Sequence, residues 1–161
     1  MPVNASEAEA DPPSRIAWPP RLVVVAIAIG ALLDAFLPLS DSAWPPSARI
    51  AGGLVIALAL ANDVWCALLM RRQGTTMRPD RAVSSLVVAG PYRWSRNPIY
   101  VSHVALVAGL GLAFGSVWMI LLTPALAFLL QRLAIEREER HLSQRFGAEF
   151  DAYVARTRRW L

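Results

Sequence analysis

Three long apolar blocks constrain this chain more than any other feature: Leu22–Leu39, Ile50–Met70 and Ile99–Leu133. About 20 apolar residues in a row cross a ~30 Å hydrocarbon core as a helix. Such a segment must satisfy its backbone polar groups internally, which a helix does. The third block is too long for one crossing, since 35 residues would extend roughly 52 Å at 1.5 Å per residue. Gly115-Ser116 near its middle reads as a tight turn. The chain is therefore expected to be an all-α integral membrane protein with four transmembrane helices, over 22–39, 50–70, 99–114 and 116–133. Gly111 and Gly115 have the small-xxx-small spacing that lets helices approach closely, or they serve the turn itself.

Composition agrees. Hydrophobic residues make up 55% and charged residues 17%, where a soluble domain has about 25% charged. That balance excludes a disordered chain, a nucleic-acid arm and an ordinary soluble enzyme. The net charge is +4, and all 16 basic residues are Arg. They cluster between the second and third helices and after the fourth, so the positive-inside rule puts both segments, and both termini, in the cytoplasm. A bacterial inner membrane is the expected location. Cys66 is the single cysteine, so no intramolecular disulfide or cysteine cluster can form. With two histidines besides, no metal is expected, and no nucleic-acid partner.

Residues 1–20 are polar and proline-rich, and read as a disordered arm preceding a single membrane domain, 21–161. Within it, 73–98 and 134–161 are the polar cytoplasmic segments. Gln131–Arg156 reads as one amphipathic helix, with Leu142, Phe146, Phe150 and Tyr153 on one face and a weak point at Gly147. Glu136 and Arg140 are spaced for an i,i+4 pair. In the first segment, Gly90-Pro91-Tyr92 is a turn, and Pro98 suits the first turn of the third helix. Free N–H groups there could hold an anion, or simply mark a loop entering a helix. Glu136, Glu138 and Glu139 form a solvated face, or supply a carboxylate for a ligand ammonium. Asp63 and His103 lie in apolar surroundings. Intramembrane ionisable groups are functional candidates, or hydrogen-bond a neighbouring helix as Asn62-Asp63 could. Both are left outside the expected site.

Leu86 to Tyr100, reading LVVAGPYRWSRNPIY, resembles the signature of the isoprenylcysteine carboxyl methyltransferase family, which is related to the phospholipid methyltransferases. Glu138-Glu139, Leu142, Phe146-Gly147, Phe150, Tyr153 and Arg158-Arg159 are similar to that family's C-terminal pattern. The resemblance implies S-adenosylmethionine at the cytoplasmic face, between the two polar segments. By position, Ser84, Ser85, Leu86 and Val87 would line it, and Tyr92, Asn97, Pro98, Ile99 and Tyr100 would complete the pocket. Glu138 would meet the amino group, and Arg96 or the start of the third helix the carboxylate. The implied reaction is methyl transfer to a lipophilic acceptor, a prenylcysteine-like carboxyl or another lipid. Asn97 stands where eukaryotic members carry His, and Ala134 where they carry an Arg assigned to substrate. Two alternatives remain: an NADPH-dependent reductase of the sterol-reductase type, and a non-catalytic membrane protein.

Overall fold

The computed structural model describes residues 18–39, 44–73 and 86–161. Six helices follow one another: α1 Trp18–Phe36, α2 Pro46–Arg72, α3 Pro98–Phe114, α4 Val117–Leu130, α5 Glu136–Phe146 and α6 Ala148–Arg156. A 3-10 turn, Gly90–Arg93, precedes α3, and a π-helical turn, Gln131–Ile135, joins α4 to α5. The fold is an all-α membrane protein, and the described residues form no strand. Proline starts several helices because a first-turn residue needs no N–H partner: Pro45 leads into α2 in an extended conformation, and Pro98 opens α3. For the same reason α1 begins at Trp18, inside the stretch expected to be a disordered arm.

α1, α2 and the continuous helix Val117–Phe146 are long and apolar enough to cross a membrane, while α3 is apolar but shorter. At 17 residues, α3 measures about 26 Å at 1.5 Å per residue. The principal contacts are α2 with α3, α3 with α4, and α4 with α1. Val23 and Ala26 of α1, Val107 of α3, and Met119, Leu126 and Leu130 of α4 make the core. Val24, Leu32, Leu54, Leu58, Leu121 and Phe128 face outward, as lipid-facing side chains do.

α2 and α3 touch at backbone distance. A Cβ on Gly52 would collide with the Ala113 backbone nitrogen and lie 2.7 Å from the Gly109 carbonyl oxygen. The Gly111–Gly115 spacing is used differently. Gly115 takes φ 74° to end α3, and Ser116 Oγ accepts from Met119 N–H at 3.0 Å to start α4. Trp44 packs over Gly115, and Trp118 Nε1 donates to the Leu37 carbonyl at 2.7 Å. This end of the bundle thus carries two indoles, residues favoured at membrane interfaces.

The last segment differs from the single amphipathic helix expected over 131–156. Its first half continues α4 without a break, through the π turn. Gly147, at φ 49° and ψ −123°, then separates α5 from α6. A side chain is strained in that conformation. Glu136 pairs with Arg132 at 3.3 Å, one turn before it, rather than with Arg140.

Candidate functional site

The site region lies where the loop before α3 meets α5, α6 and the residues after them. The loop is pressed onto the end of α2: Gly90, at φ 59°, sits where a Cβ would be 2.6 Å from Leu69 Cδ1. This brings Val87 and Tyr92 against Cys66, with Ile99 and Met70 around them. On the opposite side, Tyr153 of α6 donates its hydroxyl to the Tyr92 carbonyl at 2.7 Å. Burial pushes the Tyr153 phenol up to about 12.

Residues 157–160 fold back to stitch the loop in place. Ser95 and Arg158 form a parallel bridge, and Arg96 N–H donates to the Arg158 carbonyl at 2.9 Å. Asn97 Nδ2 donates to the Arg159 carbonyl at 3.0 Å, and Trp160 Nε1 to Gln131 Oε1 at 3.0 Å. Glu139 lies at the centre, accepting from Arg96 Nε at 3.1 Å and Arg159 Nη2 at 2.7 Å. The hydrogen bond to Glu139 raises the Arg159 guanidinium above its ordinary range. Nothing in the sequence reading anticipated this return of the chain, because the pairing is long-range and has no periodic signature.

The expected site residues divide accordingly. Ser84 and Ser85 lie outside the described residues. Leu86 is half-buried, and Val87 and Ile99 line the cluster around Cys66. Asn97 is buried and spends its side-chain amide on the Arg159 carbonyl. The Pro98 carbonyl accepts from Asn62 Nδ2 at 3.1 Å and so faces α2. Arg96, expected beside a ligand carboxylate, is committed elsewhere. Besides Glu139, it donates to the Val154 and Thr157 carbonyls at 3.2 and 3.1 Å. It acts as a clamp on the end of α6, where helix carbonyls lack partners.

Tyr100 and Glu138 do meet: the Tyr100 hydroxyl donates to Glu138 Oε2 at 2.9 Å. The three clustered carboxylates are not equivalent. Glu136 is matched by Arg132 and Glu139 by two arginines. Among the described residues no cation pairs with Glu138, and its one hydrogen-bond donor is a neutral phenol. The Tyr92 hydroxyl is buried and faces the Cys66 thiol. Burial, and then the charge that ionised Cys66 and Glu138 would carry, push its pKa above the usual phenol range. No side chain caps the first turn of α3. A half-buried carboxylate that no cation among the described residues matches, beside apolar side chains at Val87 and Ile99, suits a ligand with a cationic group and an apolar body.

The family model for phospholipid methyltransferase matches residues 47–149. The nickel-cobalt-cadmium resistance protein NccN of Alcaligenes xylosoxydans xylosoxydans is 33% identical over 136 residues, covering 84% of this chain and 59% of that protein. The cobalt-zinc-cadmium resistance protein CzcN of Cupriavidus metallidurans is 32% identical over 136 residues, covering 84% of this chain and 58% of its own. The chain thus spans under three-fifths of the length of these relatives. No solved structure matches.

Proposed function

The chain belongs to the phospholipid methyltransferase family, a family of membrane methyltransferases, and on that premise we propose that it transfers a methyl group from S-adenosylmethionine to a lipophilic acceptor. The observation that carries this reading is Glu138, the carboxylate beside Tyr100 that no cation among the described residues pairs with. S-adenosylmethionine, when bound, supplies a methyl group on a positively charged sulfur. Glu138 would hold its ammonium, and the first turn of α3 would receive its carboxylate. Tyr100 fixes the Glu138 carboxylate, and Val87 and Ile99 exclude water from the apolar side. Cofactor enters from the cytoplasm in this scheme, and the acceptor from the bilayer between helices. The Arg-rich segments favour an inner-membrane protein with this face inward.

The resistance named in the two relatives is a property of those proteins. Shared by this chain, it would act through the methylated product. Among the described residues, no group of three His, Cys, Asp or Glu side chains could hold a metal ion.

Calorimetry on the detergent-purified protein tests the reading. S-adenosylmethionine is expected to bind saturably and NADPH not at all. Glu138→Gln removes a charge-assisted contact of about 1.5–3 kcal/mol, which weakens binding roughly tenfold to a hundredfold. Tyr100→Phe weakens it less. Binding of NADPH alone would move the chain to reductase chemistry. Binding of neither by folded protein would sink the enzyme reading.

A further inference from the structure

A second polar pair sits one helical turn deeper than Tyr100. Asn62 and Asp63 on α2 face Ser102 and His103 on α3, in the most extensive helix contact of the bundle. The first of each pair is fully engaged. Asn62 Nδ2 donates to Ser102 Oγ at 2.8 Å and to the Pro98 carbonyl at 3.1 Å, and Ser102 returns to the same carbonyl at 3.3 Å. That lock ties the two helices together. Asp63 and His103 interact electrostatically across the same interface, and the Ser102 hydroxyl reaches the Asp63 carboxylate, yet among the described residues Asp63 Oδ1 and His103 Nδ1 are buried with no hydrogen-bond partner. An orphaned buried polar atom is costly, and within a membrane ionisable groups are costlier still. Neither atom takes part in the Asn62–Ser102–Pro98 hydrogen bonds.

Their position gives them a use. Tyr100 and His103 share a face of α3, with the rings edge-on at 6.2 Å. His103 therefore lies about 4.5 Å deeper along the helix than Tyr100, on the membrane side of the Glu138 layer. We propose that Asp63 and His103 form the acceptor side of the site: His103 takes the proton from a lipophilic acceptor whose nucleophile carries one, and Asp63 holds the imidazolium that results. This rests on the methyltransferase reading above. The N–H bond of the acceptor breaks toward His103, leaving its electron pair on the acceptor nitrogen. That pair forms the new N–C bond as the C–S bond breaks with its electrons to sulfur. His103 is the catalytic residue in this scheme and Asp63 the positioning residue. The other groups that face them are Cys66 on α2, Tyr100 on α3, and Glu138 through Tyr100. α1 and α4 pack on α3 through Val23, Ala26, Leu126 and Leu130, none of which titrates.

With two histidines in the chain, the ring nitrogens of labelled protein can be followed by NMR, and His103→Gln assigns the signal. Dodecylamine is the probe, and dodecanoate, which brings no proton, the control. With S-adenosylmethionine bound, methylation of dodecylamine is expected to rise with pH along the deprotonation of the His103 ring, a rise absent in His103→Gln and with dodecanoate, which needs no base. Asp63→Asn should lower kcat with dodecylamine roughly tenfold and leave the affinity for S-adenosylmethionine unchanged. A rate that does not follow the ring's titration, or an equal rise with dodecanoate, overturns the inference. In turnover with dodecylamine, His103→Gln should lower kcat about 10²- to 10⁴-fold. Its affinity for S-adenosylmethionine should stay within about threefold, because the cofactor contacts lie one turn away. An unchanged kcat overturns the inference as well. Wild-type protein that binds no S-adenosylmethionine counts against the methyltransferase reading instead, and the imidazole signal is scored separately from it.

Discussion

Tyr153 reaches across 61 positions of sequence to donate its hydroxyl to the Tyr92 carbonyl, and that bond, with the one from Arg96 to the Val154 carbonyl, links α6 to the loop of the candidate site. Removing the donor leaves a buried carbonyl unpaired, at a cost of about 1–3 kcal/mol. Tyr153→Phe should lower thermal stability accordingly. It should also change the response to alkali. The phenol is raised from its ordinary 10.0 to about 12 in the folded protein. Its contribution is therefore fully present below pH 10 and is lost as pH rises toward 12, because the unfolded chain releases the proton first. Unfolding followed from pH 9 to 12 should show this loss in the wild type and a shallower one in Tyr153→Phe. Equal slopes would show that Tyr153 does not govern the alkaline limb. The sequence indicated Tyr153 as a member of an apolar stripe and of the C-terminal pattern, and neither points to Tyr92. Its partner lies in another segment, and spacing along one helix carries no information about it. Matched motifs singled out Glu138 and Tyr100, whereas the hydrogen bond that joins them carries no signal in the sequence. The committed state of Arg96 was not, since a guanidinium looks the same in sequence whether it faces a ligand or a helix end.

At the scale of elements, the two neighbouring glycines of α2 make opposite predictions. Gly52 lies against the α3 backbone, whereas a Cβ on Gly53 would meet nothing within 4 Å. Gly52→Val must push α2 and α3 apart, which costs more than about 3 kcal/mol by the overpacking scale and disrupts the Asn62–Ser102 lock. Gly53→Val should be nearly neutral. Melting of the two variants in detergent tests this. Similar melting temperatures would mean that the helices do not meet at backbone distance. The apolar blocks made the membrane helices legible to within a few residues, because lipid imposes a length and a composition. The pairing order was not legible. α1 packs chiefly on α4, its distant neighbour in sequence, and uniformly apolar helices show no stripe that would reveal it.

For the whole molecule, the distribution of Arg predicts that the loop–α5–α6 face lies in the cytoplasm. Ser47 and Gln144 are exposed near opposite ends of the bundle, and the native Cys66 is buried. A cysteine placed at Ser47 should therefore react with an impermeant maleimide on intact cells. One placed at Gln144 should react only after the membrane is opened. The reverse pattern would invert the topology and remove the cytoplasmic route for the cofactor.

The π turn at Gln131–Ile135 acts as a phase shifter in one continuous rod. An α-helix advances about 100° per residue, so one residue more or fewer in that turn rotates everything beyond it relative to everything before it. Leu126 and Leu130 can keep their bearings in the core while Glu138 and Glu139 take theirs, one toward Tyr100 and the other toward two arginines. The lipid-facing half and the ligand-facing half of the rod are thereby decoupled in angle. Shortening the turn by one residue would leave the membrane span intact while turning the carboxylates away from their partners.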